Sequence, residues 1–219
     1  MTALAHERPE TMLEIRTESA SPAENDPDLD EVLRQAWKAM ELPEGYRAEI
    51  IEGAIEVSRT GRYSHSQIVF LFKEALGEFL RGGDFAVRND TNVIHEGCAW
   101  VPDLFVAARD PERYVTDDGL GLTAAAARLI VEVVSPGKRS QGRDPERKRR
   151  EYARAAIPIY VIIDDYDKNG TVTVLTEPQP EKADWVGVHR VPYGIDVTIP
   201  EGPAKGFVIG AAITGPRRG

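Results

Sequence analysis

The chain has 219 residues, 42% of them apolar, a net charge of −9 and one cysteine, Cys98. Its length suits one domain with appendages better than two full domains, and its apolar fraction excludes a globally disordered chain. A single cysteine excludes an intramolecular disulfide or a cysteine-based metal cluster. No apolar run is long enough to span a bilayer, and the first twenty residues lack the apolar core of a signal peptide. The expectation is a cytoplasmic protein with no membrane partner.

In chain order, residues 1–27 read as a disordered tail, with Pro9, Pro22 and Pro27 and no sustained periodicity. The following residues, 28–212, read as a single domain, and 213–219 as a C-terminal tail. Leu29 to Met40 is a short helix with Asp28 as its cap. Arg47 to Ser58 alternates and turns at Glu52-Gly53, the pattern of a β-hairpin. Ser64 to Arg81 is a helix, with Ile68, Phe72, Ala75, Leu76 and Phe79 at helical spacing and Gly82-Gly83 as its stop. Short strands are expected at 84–88 and 91–95, and a further one at Val101 to Ala107. A loop then runs from Arg109 to Leu122. Arg128 to Val134 is a near-continuous apolar run, a strand covered on both faces. Ser140 to Ala156 is a second helix. Strands follow at 157–164 and 171–176, with shorter ones at 185–191, 196–199 and 207–209. This order fits an α/β or α+β domain with a mixed central sheet flanked by helices.

Two acids stand out in apolar strands. Asp103 precedes Leu104-Phe105-Val106-Ala107, and Glu132 interrupts Leu129-Ile130-Val131-Glu132-Val133-Val134. A carboxylate buried in such a strand needs a cation, a basic partner or hydrogen bonds, and a divalent metal can compensate two at once. Asp144, Lys148 and Tyr152 repeat at i, i+4, i+8 and so share one helix face. Lys138 to Arg154 holds eight basic residues against three acidic ones, a local reversal of the chain's negative charge. Such a run is either a solvated helix face or a phosphate-binding surface. His95 and His189 have no metal-ligand spacing, which argues against zinc.

Taken in order, Tyr46-Arg47-Ala48-Glu49-Ile50-Ile51-Glu52-Gly53, His65 at a helix start, Val101-Pro102-Asp103, Val131-Glu132-Val133-Val134-Ser135-Pro136, Asp144-x-x-x-Lys148-x-x-x-Tyr152 and Ile157 to Asp164 form a series. It resembles the Uma-two family of restriction-endonuclease-like proteins, a branch of the PD-(D/E)XK nuclease-like superfamily. The resemblance covers roughly residues 44 to 178. It implies a restriction-endonuclease-like core and a metal-dependent endonuclease that hydrolyses phosphodiester bonds, in DNA. It implies that Asp103 and Glu132 ligate Mg²⁺ or Mn²⁺, with the Val133 carbonyl as a further ligand and Glu49 completing the shell. The superfamily lysine normally stands two residues after the second acid, where this chain has Val134, so the resemblance nominates Lys148 as its displaced equivalent. Asp144, Tyr152 and His65 would support the site, and Lys138, Arg139, Arg143 and Arg147 would grip the nucleic-acid backbone. The alternative is a nuclease-like fold without turnover that binds nucleic acid or protein. A third reading uses Asp103 and Glu132 as an acid–base pair without metal. A homodimer is an expectation by analogy with enzymes that cut both strands.

Overall fold

The computed structural model describes residues 27–59, 63–134 and 144–217. Lys138, Arg139 and Arg143 lie outside them, as does the expected N-terminal tail apart from Pro27. The side chain of Asp144 is likewise outside the description.

Helix α1 (Pro27–Lys38) leads into a hairpin of β1 (Tyr46–Ile51) and β2 (Ala54–Arg59). The hairpin turns at Glu52 and Gly53, both at positive φ (46° and 68°). A two-residue turn with φ > 0 at both positions matches the strand twist, and Gly53 makes it inexpensive. Helix α2 (Tyr63–Phe79) follows, then β3 (Phe85–Arg88), β4 (Asn92–His95), β5 (Cys98–Trp100) and β6 (Leu104–Ala108). Next come β7 (Gly121–Thr123), β8 (Leu129–Val134), α3 (Asp144–Arg154), β9 (Ile159–Asp164), β10 (Thr171–Gln179) and β11 (Asp184–Pro192). The chain closes with β12 (Val197–Thr198), β13 (Val208–Ile209) and α4 (Ala211–Thr214). Helix α4 runs into the expected C-terminal tail, with Ile213 and Thr214 buried.

The central sheet has the order β11-β10-β9-β8-β6-β3. It is mixed: β8 and β9 are parallel, joined across α3, and the other pairs are antiparallel. A second sheet has the order β2-β1-β5-β4-β7, and β12 pairs with β13.

All six residues of β8 are buried, because both faces of the central sheet are covered. On one face Ile68, Phe72 and Leu76 of α2 pack on Leu104, Val106, Leu129, Val131 and Val161. On the other, Tyr152 and Ala153 of α3, with Ile51, Val93 and Trp100 of the second sheet, pack on Phe105, Ile130 and Tyr160. The period-two rule puts Glu132 on this second face, with Ile130.

The strand expected at Val101 to Ala107 is divided. Trp100 ends β5 in the second sheet and Leu104 begins β6 in the central one, so Val101-Pro102-Asp103 carries the chain from one sheet to the other. Pro102 has no N–H for a ladder and suits that crossing. It is buried there and belongs to no edge strand. Strands β5 and β7, three residues each, have no counterpart in the sequence reading.

Candidate active site

The sheet crossing brings three carboxylates together. Antiparallel pairing of β6 with β8 matches Leu104 to Val131, so the next position along sets Asp103 opposite Glu132 on the same face. Pairing of β1 with β5 matches Ile50 to Ala99, which brings Glu49 alongside the crossing. The Val101 N–H donates to Glu49 Oε1 at 2.9 Å. Glu49, Asp103 and Glu132 are all buried, at 2%, 7% and 7% exposure.

Helix α3 lies over this face and inserts a cation between two of the acids. Lys148 Nζ is 2.8 Å from Glu49 Oε1 and 3.0 Å from Glu132 Oε1. One helical turn on, the Tyr152 hydroxyl donates to the same Glu132 oxygen at 2.7 Å. The spacing Lys148-x-x-x-Tyr152 thus serves one carboxylate from one helix face. Tyr152 is itself wedged edge-on between Trp100 and Tyr160, with ring centroids 5.1 and 4.9 Å away. Burial, Glu132, Tyr160 and Glu49 together push the Tyr152 phenol well above its ordinary range, so it remains a donor.

Asp103 has a different set of partners. Its Oδ2 accepts the Val133 N–H at 2.9 Å and lies 2.9 Å from His65 Nε2, which α2 supplies from its first turn. Arg47 approaches Oδ1 with two nitrogens, each at 3.5 Å. Burial alone would raise the Asp103 carboxyl. His65, Arg47 and the Val133 N–H instead hold it well below the usual carboxylate range. Arg47 also places Nε 3.7 Å from Glu49 Oε2. Burial disfavours its charge, but Glu49, Asp103 and Glu132 outweigh that and raise it further.

The structure therefore gathers Asp103, Glu132, Lys148, Glu49, Tyr152 and His65 into one cluster, with the Val133 backbone at its edge. Arg147 is not part of it. Its Nε is 3.0 Å from Glu52, and its other nitrogens reach Glu56 and the Ile51 carbonyl. Its guanidinium fastens α3 to the hairpin turn, a commitment that competes with the expected phosphate contact. Arg47 escaped the sequence reading, although Arg47 and Glu49 stand at i and i+2 on β1 and must share a face. That spacing was the available signal.

Among the described residues, no three His, Cys, Asp or Glu side chains are grouped to enclose a metal ion. Glu49 and Glu132 converge on Lys148, and Asp103 turns to His65, Arg47 and Val133. The donor chemistry nevertheless suits a hard divalent cation, since every acidic donor is a carboxylate oxygen. A groove of about 510 Å³ beside the N-terminal ends of β8 and β9, lined by Phe85, Arg128, Pro158, Glu201, Gly202 and Pro203, shares no residue with the cluster.

The protein thus carries one acid on β8, another just before β6 and a lysine on the helix that joins β8 to β9. Its fold is similar to the crystal structure of "a putative nuclease belonging to DUF820 from Anabaena variabilis ATCC 29413", with a TM-score of 0.58 at 19% identity over 78% of this chain and 88% of that one. The family model described as "Uma2: Putative restriction endonuclease" matches residues 30–199, and the chain belongs to that family. Comparison with curated proteins gave no match.

Proposed function

We propose that the cluster is the active site of a metal-dependent endonuclease that hydrolyses phosphodiester bonds in DNA. The observation that carries this reading is the placement of Lys148, 2.8 and 3.0 Å from Glu49 and Glu132, while the N–H of Val133, next to Glu132, donates to Asp103 at 2.9 Å. Asp103 and Glu132 would hold Mg²⁺ or Mn²⁺, with the Val133 carbonyl and Glu49 completing the shell. When bound, the ion supplies charge neutralisation and a water of lowered pKa.

The chain's own groups do the rest. Lys148 places a positive charge where negative charge grows on the phosphate, and it orients the attacking water. Tyr152 fixes the Glu132 carboxylate, and Trp100 and Tyr160 fix Tyr152 in turn. The Val133 N–H and His65 hold Asp103 in one orientation and keep it ionised. The buried setting strengthens each of these interactions relative to water.

One observation favours the reading without turnover. Arg147, Arg150 and Arg154 of α3 all converge on Glu52, so these three guanidinium groups are engaged with the hairpin turn, which competes with phosphate contact. A plasmid-nicking assay with Mg²⁺ or Mn²⁺ decides between them. The wild-type protein is expected to nick, and Asp103→Ala and Glu132→Ala to be inactive. A wild-type protein that binds DNA and cuts neither DNA nor RNA with either ion overturns the nuclease reading. Cutting that persists with every divalent ion removed by chelation overturns the metal assignment.

A further inference from the structure

Arg47 differs from every other member of the cluster in how poorly its hydrogen-bonding capacity is used. Its two contacts with Asp103 are both 3.5 Å, and its approach to Glu49 is 3.7 Å, whereas Lys148, Tyr152, His65 and the Val133 N–H hold their partners at 2.7–3.0 Å. Its Nε is out of solvent and has no hydrogen-bond partner among the described residues. A buried guanidinium N–H without a partner is costly, and charged groups with good partners normally close to 2.7–2.9 Å. Arg47 is held near the acids by charge without being tied by them.

Position adds a second argument. Side-chain exposure is 3% for Lys148, Glu49 and Asp103, but 23% for Arg47 and 14% for His65. Arg47 and His65 form the mouth of the cluster. A polyanion arriving from solvent meets the Arg47 guanidinium before it meets Lys148, which Glu49 and Glu132 already enclose. The guanidinium fork matches a phosphate bidentately, which an ammonium cannot do.

We infer that Arg47 is the phosphate clamp of this site: its guanidinium leaves its long contacts with Asp103 and takes two oxygens of the phosphate to be cleaved. This rests on the nuclease reading proposed above. Release of Asp103 Oδ1 by Arg47 would also free that oxygen for the cation, so substrate grip and ion binding would favour one another. Asp103 itself stays anchored through Oδ2, where His65 and the Val133 N–H hold it.

The test is a short DNA duplex titrated against wild-type protein, Arg47→Lys and Arg47→Gln in Ca²⁺, together with Mn²⁺ titration and thermal melting of the same samples. Arg47→Lys keeps a positive charge beside Asp103 and Glu49, so it isolates loss of the fork from loss of charge. The inference predicts that both variants lose about tenfold or more in DNA affinity. It predicts that KM rises in Mn²⁺ with a smaller fall in kcat for Arg47→Lys. The slope of log affinity against log salt should fall by about one for Arg47→Gln. Affinity for Mn²⁺ alone should be kept or increased. Variants that bind DNA like the wild type, or that lose Mn²⁺ affinity and melting temperature in step with activity, overturn the assignment and leave Arg47 a structural counter-charge. A wild-type protein that neither binds nor cuts DNA overturns the nuclease reading and this inference together. A wild-type protein that cuts, alongside variants of unchanged DNA affinity and KM, overturns the Arg47 inference alone.

Discussion

Two ion clusters join the same pair of elements, β1 with its turn and helix α3, and they differ in almost everything except composition. Glu49 meets Lys148, and three residues along Glu52 meets Arg147, Arg150 and Arg154 at 3.0, 2.7 and 3.5 Å. The first cluster is nearly sealed, with side chains about 3% exposed. In the second, Glu52 is 24% exposed and Arg150 and Arg154 are 41% and 43% exposed. The difference teaches how to read a basic helix. Charge alone identified the whole run from Lys138 to Arg154 as a candidate surface. Burial separates one lysine on the inward face from three arginines that tie the helix to a hairpin. An exposed pair is typically worth about 0–1 kcal/mol, whereas removing one partner of a buried pair costs about 3–5 kcal/mol.

The largest expected effect is at Lys148. Lys148→Met keeps the length of the side chain and removes the cation that Glu49 and Glu132 share, so destabilisation of about 3–5 kcal/mol is expected. Nuclease activity should fall by roughly 10²–10³, as for loss of one group that stabilises charge in a transition state. The sharper measurement is the rise in melting temperature on adding Mn²⁺. It should be larger in Lys148→Met than in wild type, because the ion then replaces a missing charge as well as binding. An equal or smaller rise would show that these carboxylates do not form the ion site.

Glu132→Gln comes next. It removes a charge from the cluster while keeping its shape, and Lys148 retains Glu49 as a partner. Stability should therefore change less than in Lys148→Met. Mn²⁺ affinity should fall by more than the roughly 10–100-fold typical of losing an outer-shell partner. Calorimetry showing unchanged Mn²⁺ affinity would refute Glu132 as a ligand.

The contrast between the clusters also marks what could be read from the sequence. Glu132 was legible because one carboxylate among five aliphatic residues has few explanations. Lys148 and Tyr152 were legible as a pair because helical spacing places them on one face. The contact of Arg147 with Glu52 spans 95 positions in the chain and follows from the crossing of two sheets, which no local pattern encodes. The break at Val101-Pro102-Asp103 was hidden for a similar reason. Its residues read as the start of a strand, and only the pairing of β5 with β1 shows that they leave one sheet for another. Arg47 carries no such local signal of depth, because an arginine in an exposed hairpin is ordinary and its burial depends on that same crossing.

Glu52→Gln should act on stability alone, lowering it by about 1 kcal/mol with activity within about twofold of wild type. High salt should shrink the effect, since the pairs are open to solvent. A loss of nicking would show that the hairpin clamp also positions Lys148.

The smallest effect discriminates most finely, because it separates the two clusters by pH. Burial of Glu52 opposes its charge, but the hydrogen bond and charge of Arg150, then those of Arg147, lower its carboxyl below the ordinary value of 4.5. A carboxyl depressed by folding contributes stability that is fully present above its unfolded pKa and lost as pH falls through its folded pKa. The stability difference between wild type and Glu52→Gln should therefore be constant near neutrality and close progressively below about pH 4.5. Asp103 is also depressed in the folded state, but it is present in both proteins and cancels in the difference. Urea unfolding of the two proteins from neutral to strongly acidic pH measures this directly. A gap that persists unchanged in acid would mean that the difference does not arise from the Glu52 charge, and that its pairs with three arginines contribute nothing to joining α3 and the hairpin.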